Sequence, residues 1–183
     1  MAGQAAVCEF GWRAVDFALD GVDGKRHRLA EVRGAKATVV MFLCNHCPYV
    51  KAAIPRIVAD MAALAPLGVG AVAIMPNDSA AYPEDSFANM KAFAARHRLG
   101  FPYLIDASQD VARAYGAVAT PEFFGFDGAL GLQYHGRLDA GKTSPPPAGA
   151  PRELYDAMAR IAATGKGPND QAPSMGCSIK WRY

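Results

Sequence analysis

"FLCNHCPYVK", residues 42–51, closes an apolar run and opens a helical pattern. The run itself, "ATVVMFL" at 37–43, is rich in β-branched residues and almost wholly apolar, as suits a central strand buried on both faces. From Cys47 the period changes. Val50, Ile54, Ile57, Met61 and Leu64 recur at steps of four and three, which predicts a helix with one buried stripe. Pro55 lies inside that helix and is expected to kink it. The two cysteines therefore fall at a strand-to-helix switch, Cys44 at or just before the first turn and Cys47 about one turn inside.

At such a switch the first backbone N–H groups lack intrahelical partners and the dipole is positive, so a thiolate is favoured there. The dipole contributes roughly 0.3–1 kcal/mol, whereas one pKa unit needs about 1.4 kcal/mol. A large shift would therefore also need direct N–H···S bonds and a protonated His46. The two-residue spacing suits a disulfide across the first turn, with Cys44 as the attacking nucleophile and Cys47 resolving the mixed disulfide. Pro48 is tolerated this early because its missing N–H falls among the unpaired donors. The pair could also be half of a zinc site, but a closed site needs four ligands and no second CxxC exists. Inert core cysteines fit poorly with the polar Asn45-His46 between them. His46 reads either as a tuning residue or as a simple exposed polar group.

Outward from this stretch, strand and helix patterns alternate. Asp23-Gly24 marks a turn between two short strands in the N-terminal segment. Gly68 closes the long helix, and "VGAVAIM" (69–75) is a second buried strand. Asp85 or Ser86 can cap a helix carrying Phe87, Met90 and Phe93, ending near Leu99-Gly100. "PYLID" (102–106) is a strand, and "SQDVARAYG" a helix stopped by Gly116. "TPEFFGFDGALGLQYHGRL" reads as two strands joined at Asp127-Gly128, and a last helix over 152–163 buries Leu154, Met158 and Ile161. The loop before that helix, "GKTSPPPAGAP", is expected to be mobile. The pattern predicts an α/β fold, a three-layer sandwich with a mixed central sheet, helices on both faces and an N-terminal hairpin extension.

With 183 residues and 51% hydrophobic composition, the chain suits one domain with a full core. We assign 1–183 to a single domain, with an N-terminal extension at 12–35 and a C-terminal tail at 165–183. The net charge of +2 comes with scattered basic residues, so no nucleic-acid surface is expected. No basic-then-apolar leader opens the chain, and no apolar run approaches the roughly 20 residues that span a bilayer. We therefore expect a cytoplasmic protein without membrane partners, where close cysteines imply metal or catalysis and not a disulfide framework.

Five segments together carry a resemblance: "CNHCPYVK", "PEDSFANMKAF", "FPYLIDASQDVARAYGAVATPEFFGFD", "YHGRLD" and "GCSIKW". The chain resembles the thioredoxin-fold superfamily, and within it a peroxiredoxin-like branch of the AhpC/TSA type. The resemblance implies a redox pair, Cys44 and Cys47, and a cis proline at Pro121 whose loop faces the cysteines. Asn45, His46 and Thr120 would support them, and no metal or cofactor is implied. The chain also departs from its relatives. Leu43 stands where thioredoxins have tryptophan, and the 37–43 strand lacks their buried acid, leaving the proton acceptor for Cys47 unidentified. If Cys47 were a peroxidatic cysteine, the usual hydroxyl residue and proline would be replaced by Cys44 and Val40.

The implied activity is thiol–disulfide exchange. Its partners would be a protein or small-molecule disulfide or oxidised thiol and an external thiol reductant. Peroxide reduction through one cysteine is a second reading, and metal or copper binding a third. Cys177 sits in the tail, where an extended chain from Thr164 reaches about 40 Å, so it can meet the pair as a third redox cysteine. Otherwise it is a small buried residue in a tail docked by Ile179 and Trp181. Cys8 is read as incidental. His135, Arg137 and Asp139 are expected at a solvated strand end, and His27 and His97 on the surface.

Overall fold

A computed structural model of the chain describes the backbone of residues 2–4 and the whole of residues 8–183. In chain order the elements are β1 (Ala2–Gln4), β2 (Ala18–Gly21), β3 (Arg26–Arg28), the single turn α1 (Leu29–Val32), β4 (Ala37–Phe42), α2 (Pro48–Leu64) and β5 (Val69–Met75). They continue with α3 (Phe87–His97), β6 (Tyr103–Ile105), α4 (Asp110–Tyr115), β7 (Ala119–Thr120), β8 (Glu122–Asp127), β9 (Leu132–Tyr134), α5 (Glu153–Thr164) and β10 (Met175–Ser178).

The main sheet has seven strands in the order β3-β2-β6-β5-β4-β8-β9. The pairs β4–β5 and β5–β6 are parallel and the others antiparallel, so the sheet is mixed as expected. Side chains alternate across β4. Val39 and Met41 pack with Ile54, Ile57, Met90, Leu154 and Met158 from α2, α3 and α5. Val40 and Phe42 face Ala112 and Tyr115 of α4, with Phe124 and Ile179. A strand sandwiched this way has no polar face to show, which explains the unbroken apolar run. Among the described residues no helix is long and apolar enough to cross a membrane.

The register decides where the loops meet. Phe42 at the end of β4 lies opposite Glu122 at the start of β8, and Ile74 near the end of β5 lies opposite Phe42. The segment after β4, the segment after β5 and the turn before β8 therefore share one end of the sheet. Strand carboxyl ends are the usual place for a site in an α/β sheet.

A second, three-stranded sheet in the order β1-β10-β7 was not foreseen. Its middle strand comes from the C-terminal tail, and Cys177 lies opposite Thr120.

Helix α2 begins at Pro48, about one turn later than the sequence reading placed it with Cys44 at its start. Cys47 is its N-cap, extended at φ −63° and ψ 125°, and Pro48 is its first residue. Pro48 sets this boundary, because a proline disfavours helical backbone in the residue before it and itself fits the first helical position. Cys44 thus belongs to the loop after β4, and Cys47 caps the helix without entering it. Pro55 sits inside α2 without ending it.

Candidate redox site

Three of the four cysteines meet at the sheet's end. All four are free thiols. Cys44 and Cys47 are fully buried, and Cys177 is partly exposed. Cys44 Sγ is 3.2 Å from Thr120 Oγ1, Cys47 Sγ is 3.2 Å from the Thr120 carbonyl, and Cys47 Sγ is 2.8 Å from Cys177 Sγ. The Thr120-Pro121 peptide is cis.

The two buried sulfurs are pushed in opposite directions. Cys47 is lowered to about 5, first by the thiol hydrogen bond from Cys44, with further help from Cys177 and the Val50 N–H. Burial and the Thr120 carbonyl work against that charge, but the donors outnumber them. Cys44 is raised because it donates its proton to Cys47, because it is buried, and because Asp85 is negative nearby. Cys177 is raised to about 11, mainly by burial and then by its contact with Cys47. The direct S–H and N–H donors that the dipole argument required are thus present at Cys47. The outer sulfur in this fold is neither of the pair.

Asn45 and His46 lead to a buried acid that the sequence reading treated as a helix cap. Ser86 caps α3, accepting from the Asn89 N–H at 3.3 Å, and this leaves Asp85 free to turn inward. Asp85 Oδ1 accepts from the Asn45 N–H at 2.8 Å, and Oδ2 accepts from Asn77 at 2.8 Å and from His46 Nδ1 at 2.7 Å. Asn45 is held further by Tyr103, whose hydroxyl donates to its Oδ1 at 2.8 Å. His46 also stacks on Tyr82, with the rings 3° from parallel. Cys44, His46 and Asp85 bring potential metal-binding atoms within 4.8 Å of one another. Asp85 Oδ2 already accepts two hydrogen bonds and Oδ1 one, so the carboxylate is largely committed to Asn45, Asn77 and His46.

A second buried acid orders the turn before β8. Glu122 Oε2 accepts from the N–H groups of Val118 and Ala119 at 2.8 and 3.0 Å, and Oε1 pairs with His135 Nε2 at 2.8 Å. His135 is therefore buried, stacked on Phe124, and not on a solvated strand end. Asp139 is buried as well, paired with Arg56 at 2.6 Å, and Arg137 is paired with Glu153 at 2.7 Å. The expected solvation failed because α2 and α5 supply partner charges to these residues. Beside Pro121 lies a small recess of about 60 Å³ lined in part by Tyr49, Arg56, Lys142 and Met175.

Residues 10–135 match the AhpC/TSA family. The chain belongs to that family. An uncharacterized conserved protein from Geobacillus kaustophilus is 42% identical over 100% of this chain and 97% of its own, with a TM-score of 0.91. A hypothetical protein from Sinorhizobium meliloti is 36% identical over 98% of each chain, with a TM-score of 0.90. The thioredoxin domain of a thiol-disulfide oxidoreductase from Bacteroides vulgatus is 15% identical, covering 69% of this chain and 87% of its own at a TM-score of 0.59. That last likeness is one of fold, and the fold of this AhpC/TSA member is thioredoxin-like. No curated protein matches the chain.

Within this AhpC/TSA member the structure brings Cys44, Asn45, His46, Cys47, Thr120, Pro121 and Cys177 to one place. Sequence reading missed Asp85 and Glu122. Glu122 did leave a trace, a lone carboxylate in the apolar strand "TPEFFGF". Asp85 left none, because an acid at a helix start already has an ordinary explanation.

Proposed function

We propose that the protein is a thiol–disulfide oxidoreductase in which Cys44 and Cys47 alternate between two thiols and one disulfide. The observation that supports this best is a pair of buried sulfurs meeting at the cis Thr120-Pro121 peptide, in surroundings that favour charge on Cys47 and oppose it on Cys44. A thiolate near neutral pH is the attacking species in disulfide exchange.

Cys47 attacks one sulfur of a disulfide, that S–S bond breaks, and half of the substrate leaves as a thiol. Cys44 then attacks Cys47 Sγ, the mixed disulfide breaks, and the second half leaves. The proton Cys44 gives up has a base on hand in Asp85, within 4.8 Å of its sulfur. Asp85 would then fill the role of the acid absent from β4. An external thiol reductant returns the pair to the dithiol. The substrate is a protein or small-molecule disulfide or an oxidised thiol, and the setting is the cytoplasm. The test is stoichiometric reduction of insulin disulfides by pre-reduced protein with the reductant removed. We expect reduction by the native protein and none by Cys47→Ser. Equal reduction by both would contradict the proposal.

Membership of the AhpC/TSA family, with a stabilised thiolate at a helix start, favours peroxide reduction at Cys47 as a second reading. Rapid sulfenic acid formation at Cys47 on adding peroxide would support it. Oxidation no faster than that of a free thiol would end it.

A further inference from the structure

Cys44 and Cys47 are completely buried, and this raises the question of how a disulfide on another molecule reaches them. The C-terminal tail offers a route. Strand β10 runs antiparallel to β7 with Cys177 opposite Thr120. It thus occupies the backbone edge of the turn before Pro121, the position from which an added strand would present a sulfur to Cys47. Gly176 makes the approach close enough. A Cβ on it would lie 2.1 Å from the Thr120 carbonyl oxygen and 2.6 Å from its carbon.

The tail is held along its length by hydrogen bonds, so Cys177 is a fixed part of the site. Ile179 is buried and its N–H donates to the Val118 carbonyl at 3.0 Å. Lys180 N–H donates to Asn77 Oδ1 at 2.9 Å, and the Lys180 carbonyl accepts from the Asp78 N–H at 2.9 Å. Asn77 in turn donates to Asp85, so one side chain ties the tail to the acid beside Cys44. Cys177 Sγ ends 2.8 Å from Cys47 Sγ. A disulfide bond is about 2.05 Å long, so a small movement joins the two.

We propose that Cys177 is a third redox-active sulfur, fixed where a substrate strand would pair, and that it passes disulfide exchange between outside molecules and the buried pair. This rests on the oxidoreductase reading above. Cys177 passes its proton to the Cys47 thiolate 2.8 Å away and attacks one sulfur of an external disulfide. That bond breaks, and the first half leaves as a thiol that takes this proton back from Cys47. The Cys47 thiolate attacks Cys177 Sγ, forming the Cys47–Cys177 bond, and the second half leaves as a thiolate that takes a proton from water. Cys44 gives its proton to Asp85 and attacks Cys47 Sγ. The Cys44–Cys47 disulfide forms, and Cys177 leaves as a thiolate that regains a proton. Two electrons have moved from the buried thiols to the substrate disulfide, and Cys177 is ready again.

The test uses the full-length reduced protein, treated with oxidised glutathione and mapped for disulfides by peptide mass spectrometry. In Cys44→Ser, with the final acceptor removed, we expect the Cys47–Cys177 disulfide to accumulate. In the double variant Cys44→Ser/Cys47→Ser we expect glutathione on Cys177. Transfer to insulin should fall about tenfold or more in Cys177→Ser, since the exchange rate depends on access to the attacking sulfur. If Cys177 stays a free thiol in every variant while the native protein forms Cys44–Cys47, the proposal is overturned and the oxidoreductase reading stands. If no disulfide or mixed disulfide forms in any of them, both fall.

Discussion

Cys44 and Cys47 share one loop, lie three residues apart and are equally buried, yet their surroundings push them in opposite directions. On the Cys44 side stands Asp85, a fully buried carboxylate that accepts from Asn45, Asn77 and His46. On the Cys47 side stand the Val50 N–H, the Cys44 thiol and Cys177, all of which favour a negative sulfur. The spacing of the two cysteines is silent on this difference. It begins with the hydrogen bond between the two thiols and is reinforced by residues about 40 positions downstream in one case and 130 in the other. In a buried site the nucleophile is chosen by which sulfur has donors around it, and local helix geometry supplies only part of that.

The largest effect should come from removing the favoured sulfur. Cys47→Ser is expected to abolish net reduction of a substrate disulfide and leave an adduct on Cys177, whereas Cys44→Ser should stall at the Cys47–Cys177 disulfide. Trapping the adducts by mass spectrometry separates the two. The contrast also has a pH signature. Because Cys47 is depressed to about 5, its alkylation rate should be flat around neutral pH and fall only as pH drops through that value. Cys44 should resist alkylation through neutral pH, and peptide mapping of the alkylated sites across pH measures both.

Asp85→Asn should narrow the contrast. It removes the negative charge that helps to hold Cys44 up, so Cys44 should alkylate at lower pH than before. It also sets the new amide against the Asn77 donor, for which we expect a loss of about 1–3 kcal/mol in denaturant unfolding. Gly176→Ala should act on the other side. The added methyl forces β10 off Thr120, takes the Cys177 donor away, and so raises Cys47. Overpacking of this kind costs about 1–3 kcal/mol, and the pH profile of Cys47 alkylation reports the shift. The smallest change is Tyr103→Phe, which removes one hydrogen bond to Asn45 and should cost about 1 kcal/mol of stability with little change in Cys47 reactivity.

The layers of the fold were legible in the sequence because each is written in a local period. Residues 37–43 are apolar without interruption because β4 is covered on both faces, and the α2 stripe repeats at helical spacing because one face is buried. The pair, its helix and the turn at Thr120-Pro121 were legible for the same reason: each is a short signal with a fixed neighbour. The tail strand was not. "MGCS" has no alternation, and its partner Thr120 lies about a third of the chain away. Asp85 shared a possible capping role with Ser86, and Ser86 takes it. His135 and Asp139 looked solvated because their partners, Glu122 and Arg56, belong to other elements.

The central claim is tested most directly by equilibrating the purified protein in glutathione redox buffers, trapping free thiols and identifying which cysteines change state. We expect one two-electron transition, with Cys44 and Cys47 losing their free thiols together. Both thiols remaining free across the whole range of buffers would contradict it.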